Sequence, residues 1–251
     1  MAETEWVPSP RHLLRLACIG DVTSDWQPGR LLEVGAGTGH VTETFVERGF
    51  DATLNDLGER SRELLRDRFE GRARVVDSLA ELEGETFSYL MAFEVLEHIE
   101  DDRSALSSWL EYLEPGGRLL VSVPAHQAKF GDADRAVGHV RRYEHGELEA
   151  LFASAGLEQV AISNYGFPLG NVLRHTQTLM NRVTGSRPDD ATDEQDRIDR
   201  TIESGVATES RLNRMGKILK PGVLKPFSTV QRLAYQRDWS DGYVATATKP
   251  R

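Results

Sequence analysis

Two stretches of this chain hold side chains and backbone suited to chemistry. The first is residues 31–40, LLEVGAGTGH, where an apolar run carrying one acid, Glu33, passes into three alternating glycines. Gly35, Ala36, Gly37 and Gly39 read as a buried strand breaking into a tight turn that opens a helix, a place where a nucleotide-like ligand binds. Gly35 and Gly37 carry no Cβ and let the backbone approach a ligand, and Gly39 would let the following helix pack tightly on the strand. The second is residues 125–148, which gather His126, Phe130, Asp134, His139, Arg141, Arg142 and Tyr143. An imidazole titrates near neutral pH, so His126 and His139 are candidate bases, and the Arg-Arg-Tyr run could grip an anion. Adjacent arginines point apart, so one of Arg141 and Arg142 is expected to pair with Asp132 or Asp134 instead.

These residues need elements to place them. Ser9-Pro10 marks a helix start, and residues 31–34, 50–54, 74–76, 87–93, 118–123 and 157–163 read as strands separated by helices at 41–49, 59–69, 102–113 and 144–155. That alternation predicts a parallel α/β sheet whose ligands lie beyond the carboxyl ends of the strands, which puts the loop after the fifth strand at the site. The alternation stops at residue 165. Helical spacing from Leu169 to Val183, a polar run over 185–200 and weaker amphipathic stretches over 212–219 and 230–234 predict a helical insertion. A last strand, YVATAT at 243–248, then closes the sheet.

The glycine spacing is G-x-G-x-G and not the G-x-G-x-x-G of a dinucleotide site, which disfavours an NAD-dependent reductase. With Glu33 two residues before the first glycine, it resembles the first motif of the class I S-adenosylmethionine-dependent methyltransferases, and the resemblance runs over residues 31–156. It implies a Rossmann-like, doubly wound, mostly parallel seven-stranded sheet with a helical insertion before the last strand. It also implies S-adenosyl-L-methionine as cofactor. Glu33 would hold the cofactor's amino group over Gly35, Ala36, Gly37 and Gly39, and Asp56 would accept both ribose hydroxyls, with Leu57 beside it. Asp77 and Ser78 would face the adenine. The fourth strand and its exit, AFEVLEHIEDD, are similar to the family's next motif, with Phe93, Glu94, Val95 and His98 on the cofactor side and His98 a third candidate base. Ser88 stands where the family usually carries an aspartate, which implies a local change and not loss of the site. The 125–148 loop would lie over the transferable methyl group and resembles a D…GH.RRY stretch of a subgroup acting in natural-product and polysaccharide assembly. Phe130, Asp134, Arg141, Arg142 and Tyr143 would then bind the substrate.

The expected domains are an N-terminal helical cap (1–28), the methyltransferase core (29–164 and 241–251) and a lid or substrate-side insertion (165–240). The expected reaction is O-methylation, at a carboxylate or hydroxyl, of a small molecule or short natural-product peptide. N-methylation of a small amine or sugar stays open through Asp134 and Phe130, as does a non-catalytic S-adenosylmethionine-binding partner protein. A formal charge of -10 argues against nucleic acid as partner. The single cysteine, Cys18, excludes a disulfide framework and a cysteine-built zinc site, so no metal is assigned and the cytoplasm is the expected compartment. No apolar run spans a bilayer, residues 1–10 lack a signal pattern, and the oligomeric state is left open.

Overall fold

The structure, a computed structural model, describes residues 9–170 and 221–251. Helix α1 (Pro10–Val22) starts where its sequence signal says: the Ser9 hydroxyl accepts from the His12 N–H, and Pro10 occupies the position that needs no amide donor. Seven strands follow: β1 (Arg30–Val34), β2 (Asp51–Asn55), β3 (Arg74–Val76), β4 (Phe87–Phe93), β5 (Leu113–Pro124), β6 (Glu158–Tyr165) and β7 (Gly242–Thr248). Between them lie α2 (His40–Val46), α3 (Glu59–Phe69), α4 (Asp102–Leu110), α5 (Asp132–Ala136), α6 (His145–Ser154) and α7 (Pro221–Arg232). The sheet order is β3-β2-β1-β4-β5-β7-β6, parallel except for β7, which runs antiparallel to both neighbours. The order reverses beside β1, so the carboxyl ends of β1 and β4 flank the switch point where an open α/β sheet holds its ligand.

Both sheet faces are covered, as a parallel sheet requires. Successive side chains of β1 and β4 alternate between the faces. Leu31 and Met91 pack with Cys18, Ile19 and Phe45 under α1 and α2, whereas Leu32, Leu90 and Ala92 pack with Leu106, Trp109 and Phe152 under α4 and α6. Cys18 is core, and burial pushes its thiol up to about 12.

Several boundaries differ from expectation: the helix expected over 41–49 ends at Val46, and the strand expected over 157–163 runs on to Tyr165. The helix expected over 102–113 ends at Leu110, because Leu113 already pairs with Phe87. The Pro115-Gly116-Gly117 turn is absorbed within β5, at the register shift between Phe87 and Tyr89. The expected helix beyond residue 170, the polar run 185–200 and the stretch 212–219 lie outside the described residues. The end of α7 packs on α1: the Gln231 amide donates to the Leu14 carbonyl (2.9 Å), while Arg232 and Tyr235 both bond Asp21. Among the described residues no helix is long and apolar enough to cross a membrane.

Candidate active site

The glycine turn is built on positive φ angles of 71° at Gly35, 56° at Gly37 and 75° at Gly39, which a side chain would strain. A Cβ on Gly35 would lie 2.5 Å from Val95 Cγ2, so the turn is pressed directly against the exit of β4. A Cβ on Gly39 would strike Phe69 and Leu65 at 2.6 and 2.7 Å. Gly39 therefore makes room for α3, two elements on, rather than for its own helix against the strand. Asp56 ends up beside the turn: Oδ2 accepts from the Gly37 N–H (2.8 Å) and Oδ1 from the Gly58 N–H (2.9 Å). Leu57, next to it, is 74% exposed, an unusual place for a large apolar side chain. Asp77 lies on the exposed rim, where Arg66 and Arg62 both donate to Oδ1 at 2.8 Å and hold its carboxyl below the usual range. The Ser78 hydroxyl accepts from the Ala80 N–H and caps the short turn Leu79–Leu82. Ser88 sits beside Gly29 at the opposite end of the sheet, away from the turn.

Glu33 is buried at 2% exposure, and its Oε2 has no hydrogen-bond partner. Burial, with Asp56 adding to it and Arg15 opposing, pushes its carboxyl well above the usual range. A buried acceptor without a donor is costly, and a cationic amino group is the partner that would satisfy it. Together with a cradle too tight for side chains and an exposed apolar Leu57, this fits the methionine and adenosine parts of S-adenosylmethionine.

Glu94 leaves β4 at φ 57°. Its Oε2 accepts from Arg11 (3.0 Å), and its Oε1 accepts from Ser122 and Tyr165 (3.1 Å each) and lies 3.3 Å from Arg15. Burial alone would raise this carboxyl, but Arg11 and Arg15 outweigh it and hold it at about 2. Arg11 and Arg15 are site residues that the sequence reading missed, although their separation by one helical turn in PRHLLR puts them on one face of α1. Phe93 is packed in the core.

The 125–143 loop folds onto the same corner. The Tyr143 N–H donates to the Pro124 carbonyl, the His126 N–H to the Tyr143 carbonyl, and the Val140 N–H to the Glu97 carbonyl. His98 and His139 come together, rings edge to face at 4.7 Å. His139 Nδ1 donates to Asp134 Oδ1 (3.2 Å), an acceptor-only partner, which turns Nε2 towards Glu97 Oε1 at 3.7 Å. Burial, with His139 beside it, lowers His98 to about 4, so its ring is neutral at pH 7. Glu97 is fully buried and neither oxygen has a partner; burial and Glu94 push its carboxyl well above the usual range. It too was missed, though EVLEH places it next to His98.

The other expected substrate residues serve the loop's own frame. Arg142 is buried on Asp134 (2.6 Å) and near Asp241 (3.4 Å), the pairing expected for one of the two arginines. Arg141 pairs with Asp102 (2.9 Å), and the buried Tyr143 hydroxyl donates to the same carboxylate (2.7 Å). Phe130 lies under the Arg135 guanidinium. His126 stands apart from the histidine pair, its nitrogens facing Glu144 and Asp238 at 3.4 Å each.

A family profile described as a methyltransferase domain matches residues 5–162. A protein named ubiquinone biosynthesis O-methyltransferase from Idiomarina loihiensis is 26% identical over 73% of this chain and 87% of its own length. One of the same name from Bordetella avium is 31% identical over 58% of this chain and 68% of its own. Among solved structures, the 1,6-didemethyltoxoflavin-N1-methyltransferase of Burkholderia thailandensis is similar in fold, with a TM-score of 0.55 and 19% identity over 95% of this chain and 78% of that one. Placed beside the glycine turn, the buried Glu33 and the β4 exit, these matches show that the chain belongs to the S-adenosylmethionine-dependent methyltransferase domain family.

Proposed function

We propose that this protein transfers the methyl group of S-adenosylmethionine to a hydroxyl oxygen of a small molecule. The meeting of His98 and His139 beside Glu97 at the β4 exit carries this reading. A hydroxyl becomes a good nucleophile as it loses its proton, and this is the corner where basic groups gather. When bound, the cofactor supplies a methyl on a sulfonium whose C–S bond breaks, the pair staying on sulfur, as the O–C bond forms. Glu33 would hold the amino group, Asp56 the ribose, Leu57 and Asp77 the adenine side, and Val95 the wall against Gly35. The chain's work is chiefly positioning, since in-line approach to about 3–3.5 Å supplies much of the acceleration. The relatives named as O-methyltransferases support oxygen as the acceptor.

A carboxylate acceptor gains nothing from Arg141 and Arg142, whose charges are met by Asp102 and Asp134. An amine acceptor gains nothing from Asp134, which Arg142 neutralises. Incubation with labelled cofactor and a panel of phenols, alcohols, carboxylic acids and amines tests the reading. One methyl should be gained by hydroxyl compounds; methylation confined to amines or acids would overturn it.

A further inference from the structure

We propose that Glu97, His98 and His139 form a binding site for one divalent transition-metal ion. One ligand atom from each lies within 4.8 Å of the other two, and all three sit at the carboxyl end of the sheet behind Val95, the residue that touches Gly35. Ligands around an ion at about 2.1 Å lie roughly 3–4 Å apart, so a small contraction closes the set.

Three features make this a built site and not a chance grouping. Glu97 is 0% exposed and both its oxygens lack hydrogen-bond partners, an arrangement that buried carboxylates avoid unless a cation is at hand. His139 is held through Nδ1 by Asp134, itself fixed by Arg142, which leaves Nε2 turned to Glu97. That carboxylate–imidazole order is how ligating histidines are oriented. His98 is anchored in the same manner through the Gly138 carbonyl, one residue before His139. Two imidazoles and one carboxylate suit zinc, manganese, cobalt or iron better than calcium, and three protein ligands leave a position for an exchangeable oxygen.

The site itself does not depend on the acceptor. Its role does, and rests on the hydroxyl reading: a hydroxyl bound to the ion would release its proton to water at lower pH, and neither imidazole would then have to take it.

The test uses the full chain, stripped of metal by chelator, dialysed and titrated with Zn2+, Mn2+ and Co2+ without substrate. One ion per chain is expected by calorimetry, with a visible Co2+ band showing imidazole ligation. Glu97→Gln and His139→Ala should each weaken binding at least tenfold, and Asp134→Asn about 10–100-fold. S-adenosylhomocysteine affinity should hold within about threefold in each variant, which separates loss of ligand from loss of fold. No stoichiometric ion in the native chain, or undiminished binding in Glu97→Gln and His139→Ala, would overturn the site. Stoichiometric binding with turnover unaffected by chelator would keep the site and overturn only its role towards the hydroxyl. Methylation of amines alone would remove the acceptor reading without touching the metal titration.

Discussion

Arg11 of α1 donates to Glu94 at the exit of β4 at 3.0 Å, tying the first helix of the domain across the end of the sheet to the residue that leads into the candidate site. Arg15, one turn later, faces the other oxygen of the same carboxylate. Arg11 is about one third exposed, so its charged bond is partly screened, and Arg11→Ala should cost about 1 kcal/mol in urea unfolding. Arg11→Ala/Arg15→Ala should cost more than the sum of the single changes, because Glu94 is then buried without a cation. The double variant should also weaken S-adenosylhomocysteine binding about tenfold as α1 loosens; additive unfolding costs with unchanged binding would sink the clamp.

Gly35 should tolerate nothing larger. Gly35→Ala brings both a strained φ and a contact 2.5 Å from Val95 Cγ2, so cofactor affinity should fall more than about tenfold. The two causes separate in Gly35→Ala/Val95→Ala, which removes the contact and leaves the strain. Partial recovery of S-adenosylhomocysteine affinity is expected. No recovery would assign the loss to backbone strain alone.

Elements whose sequence pattern is local were legible before the fold was known. The helix over 59–69 and the strands over 74–76 and 87–93 have the bounds read from periodicity, because their apolar faces and flanking turn residues are all within a few positions. Glu33, Gly35 and Asp56 could be placed from sequence because each lies within a residue of a strand's carboxyl end, Glu33 inside β1, Gly35 just past it and Asp56 just past β2. What could not be read was pairing across the chain. Tyr143 looked like a substrate contact, yet its hydroxyl is spent on Asp102, 41 residues away. Nothing near Arg11 in the sequence marks its partner, which lies 83 residues on. Spacing along the sequence carries no information about which carboxylate a guanidinium will find.

Glu33 gives a prediction with a sign. Its carboxyl is raised in the folded chain, so between the ordinary and raised values the native state holds a proton that the unfolded chain has lost. Stability from this group is therefore complete at low pH and declines as pH rises above the usual carboxylate range, and Glu33→Gln should be as stable as the parent or more so near pH 7. A bound amino group favours the ionised form, so cofactor binding should release a proton and tighten as pH rises. Calorimetry in buffers of different ionisation enthalpy reads that proton directly. It should vanish in Glu33→Gln, together with about 10–100-fold of affinity; the same proton release in the variant would place its source elsewhere.

His40, the first residue of α2, gives the opposite slope. Arg68 donates to Nε2 and so fixes the proton on Nδ1, which donates to the Thr38 hydroxyl; both bonds are 2.9 Å. Burial first and Arg68 second lower this imidazole to about 4 from 6.5, because a second proton on the ring would face a guanidinium. The unfolded chain then binds more protons than the folded one between these values, so stability is complete above pH 6.5 and is lost as pH falls towards 4. With the ring half-buried, the loss from His40 should be about 1–2 kcal/mol. His40→Gln keeps an acceptor for Arg68 and a donor for Thr38 but cannot take up the proton. Its unfolding free energy at pH 7.5 should match the parent within about 1 kcal/mol, and its decline between pH 6.5 and 4 should be shallower, part of the slope persisting through His12 and His98, which burial also lowers. Parallel stability curves for parent and variant across that interval would show that the Arg68 pairing does not set the acid limit.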